Sequence, residues 1–249
     1  MNTIDILNQE LLADHASTQP AHQALKERYR HLAQSYALLE NAIAVLSDMR
    51  TNESDIFYGG FAQRLDIGSH DTHLPSIWEE AIFNMVHPDD LDEKHLQELC
   101  FYHFIKRQPA ATRTDFYLMS QMRMRSVKGT YIPVLHRMFY IYAPSSHRPW
   151  LALCLYSALV HDMTPRCVVV NSAKGDVMEL GKREGEAILS DREKQILALI
   201  HQGLTSKEIA ARLFISVNTV SRHRQDILAK LRVKNSIEAC RMGKTLGVI

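Results

Sequence analysis

Residues 203–223, GLTSKEIAARLFISVNTVSRH, carry the clearest structural signal in the C-terminal part of this chain. Thr205 followed by Glu208 is the capping-box pattern that begins a helix. Ser216 is suited to cap a second helix, and it leaves room for only a tight turn between the two. Two short helices joined by such a turn predict a helix-turn-helix motif at about residues 205–224.

One further helix is predicted on each side of this motif. Ser190 followed by Glu193 is a second capping box, which begins the preceding helix. Asn235 or Ser236 begins the last helix. The sequence thus predicts a small all-α four-helix domain over residues 187–249.

The helix that follows Ser216 has two different faces. The side chains expected to face the small core recur at helical spacing: Val220, His223, Ile227 and Leu231. The opposite face is polar and poor in acids, and its candidates for contacts with DNA base edges are Asn218, Ser221, Arg222 and Gln225. Arg is suited to guanine and Gln to adenine in the major groove. The alternative is an ordinary solvated surface.

Residues that flank this face are suited to DNA phosphates, which the N-terminus of a helix also attracts. We assign phosphate contacts to Thr205, Ser206, Lys207, Thr219 and Arg224. The net charge agrees: residues 187–249 carry 11 Lys and Arg against 5 Asp and Glu, whereas the rest of the chain carries 18 against 23. A basic end on an acidic body is typical of nucleic-acid binding, although a basic surface that only aids solubility is the alternative.

The C-terminal segment closely resembles the LuxR/FixJ-type helix-turn-helix domain of bacterial transcription regulators. The matching residues are Leu189-Ser190-Asp191-Arg192-Glu193, Gly203-Leu204-Thr205-Ser206-Lys207-Glu208-Ile209-Ala210, Ile215-Ser216, Asn218-Thr219-Val220, His223, Ile227, Lys230-Leu231 and Val233. The resemblance implies that residues 217–232 form a recognition helix for double-stranded DNA. It also implies a homodimer, because this class recognises paired half-sites, with dimer contacts at Ile237, Ala239 and Cys240.

The N-terminal residues 1–41 are predicted to be helical, over 4–14 and 21–43. The second helix carries a heptad seam: Leu25, Tyr29, Leu32, Tyr36, Leu39 and Ile43. The seam is short for an autonomous coiled coil. Packing on its own domain and pairing with a second chain both remain open.

From residue 42 onwards the period of the apolar residues changes from helical to strand-like. A hairpin at 42–58 is followed by helical pieces and by strand candidates at 115–127, 130–143 and 150–162. This order predicts an α+β domain, with one antiparallel sheet and its helices on one face. Another hairpin, 166–180, and a charged linker follow, so we place the domain boundaries at 42–163, 164–186 and 187–249.

Residues 42–163 resemble a PAS domain. The resemblance rests on the hairpin 42–58, the turn Phe61–Ile67, the segment Met85-Val86-His87-Pro88-Asp89-Asp90 and the strand–Lys128-Gly129–strand element. We expect Asp89 or Asp90 to cap the helix that follows. The resemblance implies a sensor domain that receives an unidentified small-molecule or protein signal.

Several functional classes lack their signatures in this sequence. No Gly-rich phosphate loop and no nucleophile elbow is present, so we expect no enzyme, no catalytic residue and no cofactor. The four cysteines form no CxxC pair, and His70-Asp71-Thr72-His73 is interpreted as a solvated loop rather than half of a metal site. The longest apolar run, Trp150–Val160, is shorter than the roughly 18 residues of a membrane helix, and no secretory signal is visible. We therefore expect a cytoplasmic protein without membrane contact.

Together these features predict a bacterial, sequence-specific transcription regulator, in which a PAS-like input domain controls a LuxR-type output domain. The alternative is a PAS-type protein-interaction module with only weak, nonspecific DNA binding. An enzyme is the third and least supported class.

Overall fold

The computed structural model describes residues 7–8, 11–12, 20–65, 67–68, 70–143, 146–180, 189–231, 233, 235–245 and 248–249. These residues fall into two compact units. The first, the sheet unit, comprises the described residues of Asn8–Leu91 and Gln108–Glu179. The second, the helical unit, comprises those of Met1–Leu7, Asp92–Arg107 and Leu180–Ile249.

Eight strands form a single antiparallel sheet in the sheet unit, which confirms the predicted sheet. They are β1 Ile43–Asp48, β2 Glu53–Tyr58, β3 Thr72–Leu74, β4 Phe116–Arg125, β5 Tyr131–Tyr142, β6 Pro149–Ala158, β7 Cys167–Asn171 and β8 Asp176–Glu179. Their order across the sheet is β3-β2-β1-β6-β5-β4-β7-β8. The hairpin β7–β8, which lies in the range predicted as hairpin and linker, extends this sheet because β7 pairs with β4.

In the described residues, one long helix lies before β1, a short one lies between β2 and β3, and two more follow β3 before β4 begins. They are α1 Pro20–Leu39, α2 Ala62–Leu65, α3 Glu80–Phe83 and α4 Pro88–Arg107, and a 3₁₀ helix, Ala110–Asp115, leads into β4. The predicted helix 4–14 lies largely outside the described residues, where only residues 7, 8 and 11 are seen to be helical. Helix α1 ends before the predicted residue 43, because Asn41 adopts a left-handed φ of 51° and Ile43 already pairs in β1.

Local turn chemistry explains the hairpins. Asn52, with φ of 55°, closes the β1–β2 turn, and Gly129, with φ of 75°, closes the β4–β5 turn. Asn and Gly tolerate this left-handed conformation best. The register that results places Ser47 opposite Ser54.

Helix α1 covers one face of the sheet through its smallest side chains. Ala33 and Ala37 are buried in a cluster with residues of the sheet: Ala44, Leu46, Phe57, Ala143, Trp150, Leu151, Leu153 and Leu155. Ion pairs fasten the same helix, since Lys26 Nζ lies 3.0 Å from Asp48 Oδ2 and Arg30 Nε lies 3.0 Å from Asp55 Oδ2. Every residue of β1, the strand beneath this helix, is buried.

The predicted heptad seam of α1 does not face the sheet as a whole. Leu25 and Tyr29 pack partly against the cluster under α1. In contrast, Leu32 is 42% exposed and Leu39 is 83% exposed, and Tyr36 is exposed as well. Leu32, Tyr36 and Leu39 therefore leave an exposed apolar strip on α1, whereas Ile43, the last residue of the predicted seam, is buried in β1.

The segment His70–His73, predicted to be a solvated loop, is exposed at all four residues, but Thr72 and His73 belong to a strand rather than to a loop. Thr72–Leu74 forms the edge strand β3, whose Thr72 pairs with Ile56 of β2. His73 Nδ1 lies 3.0 Å from Asp55 Oδ1, so this imidazole contacts a carboxylate of the neighbouring strand. The strand forms because it pairs with the open edge of β2. It could not be predicted from sequence, because three residues are too few to show an alternating pattern.

The start of α4 also differs from the prediction. The helix begins at Pro88, which suits the first helical position, so Asp89 and Asp90 lie inside the helix and do not cap it. The Asp90 carboxylate instead accepts hydrogen bonds from the backbone N–H and the guanidinium of Arg123, at 2.6–2.9 Å. Burial raises the pKa of Asp90, but these hydrogen bonds and the charge of Arg123 hold it below its ordinary value.

The helical unit contains the remaining helices: α5 Asp191–His201, α6 Ser206–Leu213, α7 Val217–Leu231 and α8 Ser236–Thr245. Its core includes Leu189, Ile196, Leu197, Ile209, Val220, Ile227, Leu231, Ala239 and Met242. Leu96 and Cys100 of α4 belong to the same cluster. In the described part of the chain, no helix is both long and apolar enough to cross a membrane.

Candidate nucleic-acid interface

Both predicted capping boxes are present in the helical unit. The Ser190 N–H donates to Glu193 Oε2 at 2.7 Å, and the Glu193 N–H donates to Ser190 Oγ at 3.4 Å. Thr205 and Glu208 repeat this arrangement at the same distances at the start of α6. The hydrogen bonds from Thr205 lower the pKa of Glu208. These caps fix where α5 and α6 begin.

The turn from α6 to α7 depends on one strained residue. Phe214 ends α6 with φ of 54° and ψ of 44°, a left-handed conformation that costs a residue with a Cβ roughly 1–2 kcal/mol. The guanidinium of Arg192 donates to the carbonyl of Leu213, the last residue of α6, at 3.1 Å. Ser216 then accepts the Thr219 N–H at 3.0 Å, so it caps α7 as predicted.

Helix α7 is fixed by an apolar face that is directed into the core of the helical unit. Val220, Ile227 and Leu231 are buried, as the spacing predicted, and His223 is half-buried. Because these residues hold one side of the helix, the opposite side is presented to solvent.

The four residues predicted to contact bases lie on this solvent-exposed side. Asn218, Ser221, Arg222 and Gln225 are all exposed. Asp226 is the nearest acid on the same helix, with Oδ2 at 3.9 Å from Arg222 Nε. This weak contact leaves the guanidinium able to turn towards a ligand. The face offers amide, hydroxyl and guanidinium donors, as recognition of base edges requires.

The residues predicted to contact phosphates divide into two groups. Thr205, Lys207 and Thr219 are exposed. Arg224, in contrast, is half-buried, and its guanidinium donates to Ser206 Oγ at 3.1 Å and to Ser236 Oγ at 2.9 Å. Arg224 and Ser206 thus link three helices, a role that the sequence analysis missed because it depends on contacts between distant residues.

Glu193 forms a second link between helices that the sequence analysis missed. Its buried carboxylate accepts hydrogen bonds from Ser190 and, at 2.8 Å, from the ammonium group of Lys230 on α7. Burial raises the pKa of Glu193, but Lys230 and Ser190 outweigh this effect and leave it below the ordinary value. Glu193, His223 and Asp226 offer ligand atoms within 4.8 Å of one another, but Lys230 already neutralises the carboxylate.

The three residues predicted as dimer contacts do not share one surface. Ile237 is 84% exposed and Cys240 is half-buried, and both line an open cavity of about 450 Å³ between α5 and α8. Burial raises the pKa of the Cys240 thiol. Ala239 is only 1% exposed and belongs to the core, so its side chain does not lie on the surface that carries Ile237.

Comparison with known proteins places the same segment in a family. Residues 187–243 match the family described as bacterial regulatory proteins, luxR family. The oxygen regulatory protein NreC of Staphylococcus carnosus is 51% identical over 51 residues, which are 20% of this chain and 24% of that protein. NreC of Staphylococcus aureus matches with the same identity and coverage. The matched segment therefore spans about a quarter of these relatives, and residues 187–243 are a LuxR-family helix-turn-helix domain.

Solved structures resemble the chain over a longer stretch, but more distantly. A phage VqmA–DPO complex covers 91% of this chain and 89% of that chain, with 15% identity and a TM-score of 0.33. A ligand and DNA complex of VqmA from Vibrio cholera covers 90% and 89%, with 11% identity and a TM-score of 0.31.

Proposed function

We propose that this chain is a bacterial transcription regulator that binds a specific duplex DNA sequence through α7. The observation that carries the proposal is the exposed, polar face of α7 within a LuxR-family domain. Arg222 and Gln225 are the residues proposed to select bases, with Asn218 and Ser221 beside them. The N-terminal cap of α7 and the packing of its apolar face support this role, because base recognition requires a helix held in a fixed orientation.

Phosphate contacts are proposed for the exposed residues Thr205, Lys207 and Thr219. We propose that Arg224 and Ser206 act as positioning residues, because their polar atoms already bind each other across two helices. The charge of the C-terminal region supports the same function, since it has six more basic than acidic residues.

The sheet unit is proposed to be a PAS-like sensor domain that controls the DNA-binding domain. The antiparallel sheet, covered on one face by α1, is consistent with a sensor of this type. Its signal is proposed to be a small molecule or a protein. We further propose that the regulator acts as a homodimer, because one helix-turn-helix domain contacts few bases.

Selection from a random pool of duplexes tests the proposal. The full chain is incubated with the pool at moderate salt, and the bound fraction is sequenced over several rounds. A specific regulator enriches one motif, with two half-sites if it binds as a dimer. Bound DNA without any enriched motif would instead favour the alternative, an interaction module that binds DNA only weakly and nonspecifically. The exposed Leu32, Tyr36 and Leu39 on α1 are the feature that favours this alternative.

A further inference from the structure

Phe214 is unfavourable in the isolated chain on two separate counts. Its side chain is 95% exposed, although Phe is among the residue types that are most often buried. Its backbone is left-handed, a conformation that Gly adopts without strain. The backbone conformation has a structural reason, because α6 must reverse into α7 within a short turn. The turn does not account for the aromatic ring, because a side chain that is 95% exposed makes almost no packing contact within the fold.

The position of Phe214 places this ring beside the proposed DNA-binding face. It lies two residues before Ser216, which caps α7. Val217, three residues after Phe214, is the first residue of that helix and is also apolar and exposed. Thr219, a proposed phosphate contact, bonds to Ser216 within the same turn. The exposed apolar surface therefore lies at the end of α7 that the proposed function directs towards DNA.

We propose that Phe214, together with Val217, contacts apolar groups of duplex DNA at the edge of the major groove. An apolar surface of this kind can pack against two groups of duplex DNA: the carbons of the backbone deoxyribose and the methyl group of thymine. The inference rests on the proposed function and adds an uncharged contact to it. The turn needs a left-handed residue but not an aromatic ring, so the presence of Phe where Gly would be unstrained is explained by such a contact.

An apolar contact has a signature that a phosphate contact lacks. It releases no counterions, so its loss lowers the affinity for DNA without changing the slope of log K against log salt. Loss of a phosphate contact, as expected for Lys207→Ala, lowers that slope by about 1. The two kinds of contact are thus separable in a single titration series.

The test compares three variants of the full chain with the unsubstituted protein. Phe214→Gly removes both the ring and the backbone strain, Phe214→Ala removes the ring alone, and Phe214→Leu keeps an apolar side chain. We expect Phe214→Gly to unfold at the same or a higher temperature and yet to bind DNA roughly fivefold more weakly, with an unchanged salt slope. Phe214→Ala should weaken binding by a similar factor, and Phe214→Leu by less.

Two DNA arms identify the group that is contacted. A deoxyribose contact weakens binding of Phe214→Ala to the enriched motif and to random duplex alike. A thymine-methyl contact weakens binding to the enriched motif only, and the difference between variant and unsubstituted protein disappears when uracil replaces thymine.

The inference is overturned if Phe214→Gly binds DNA as tightly as the unsubstituted protein, or if its weaker binding comes with lower thermal stability. An unsubstituted protein that binds no duplex at all overturns the proposed function as well, so the two failures are distinguishable.

Discussion

Arg222 and Arg224 lie two residues apart on α7 and have different surroundings. Successive residues of a helix are separated by about 100°, so side chains two positions apart point in very different directions. Arg222 is exposed, whereas Arg224 donates to hydroxyl groups of two other helices. Arg222 is therefore the arginine that we propose contacts a base, whereas Arg224 is engaged within the domain.

Replacement of Arg222 or Gln225 by Ala tests base recognition directly. Each change should cost roughly 1–3 kcal/mol of binding free energy on the enriched motif and much less on random duplex, because a bidentate base contact is lost. Fluorescence anisotropy with both duplexes measures the two affinities. Lys207→Ala is the matched control, and it should weaken both about equally. An equal loss on both duplexes for Arg222→Ala would falsify base recognition by this residue.

Glu193 is the residue on which the stability of the helical unit should depend most visibly. Glu193→Gln should lower the free energy of unfolding by about 1–3 kcal/mol, since the charged hydrogen bond from the partly exposed Lys230 to this buried carboxylate is weakened. The pKa of Glu193 is depressed in the folded state, so this stabilisation is present above the unfolded pKa of roughly 4.3 and is lost as the pH falls through the folded pKa. Urea denaturation at neutral and acidic pH measures it.

Glu208→Gln is the control for this prediction, because Glu208 forms the same capping box but is exposed and has no lysine partner within the described residues. Its effect on stability should be smaller. A difference between Glu193→Gln and the unsubstituted protein that stays constant as the pH falls through the folded pKa would contradict the assigned role of the carboxylate.

The features of the site that could be predicted from sequence are local ones. The capping pairs Ser190–Glu193 and Thr205–Glu208 each join residues three positions apart. The start of a helix brings such residues together without any contact from the rest of the fold. The contacts from Arg224 to Ser206 and from Lys230 to Glu193 join separate helices, and no periodic pattern indicates them. Phe214 was visible in the sequence as a large residue at a turn, but its exposure depends on the surrounding fold.

Helix α1 has a buried side of small residues and an exposed side of large ones. Ala33 and Ala37 pack on the sheet, whereas Leu32 and Leu39 are exposed. We predict that Leu32→Glu combined with Leu39→Glu weakens dimerisation without unfolding the sheet unit, because neither side chain is needed for its core. Binding to a motif with two half-sites should then weaken as well, since paired domains gain from their high effective concentration.

Analytical ultracentrifugation and a DNA titration of this double variant provide the measurement. Leu38→Glu is the control, because Leu38 is also exposed on α1 but lies outside the heptad seam. A double variant that remains a full-strength dimer on its DNA would show that the seam does not pair.

Elements were predictable from sequence where their period was long enough. The alternating burial of β4 is apparent in its residues, and its predicted bounds were close to Phe116–Arg125. The short β3 has no period of its own and exists through pairing with β2. The pairing of β1 with β6 and of β4 with β7 was not predictable either, because these partners come from distant parts of the sequence.

The charge difference between residues 187–249 and the rest of the chain predicts salt-dependent binding to DNA. Residues 187–249 alone should bind duplex DNA, and the affinity should fall steeply with salt, by roughly 0.9 in log–log slope for each neutralised phosphate. Titrations of this fragment and of the full chain at several salt concentrations measure both slopes. If the fragment binds DNA with an affinity that does not depend on salt, or does not bind DNA at all, the result counts against an electrostatic interface.

The order of strands in the sheet determines when each part of the protein can fold during synthesis. Ile43 of β1 pairs with Tyr156 of β6, so the centre of the sheet waits for roughly a hundred residues after the first hairpin has left the ribosome. The helices from Asp191 onwards depend mainly on contacts between neighbouring segments, which form fast. Because β8 ends at Glu179, every strand seen in the described residues has been synthesised before α5 begins. A newly made chain can therefore complete the unit proposed to sense the signal before the helices proposed to bind DNA have all left the ribosome.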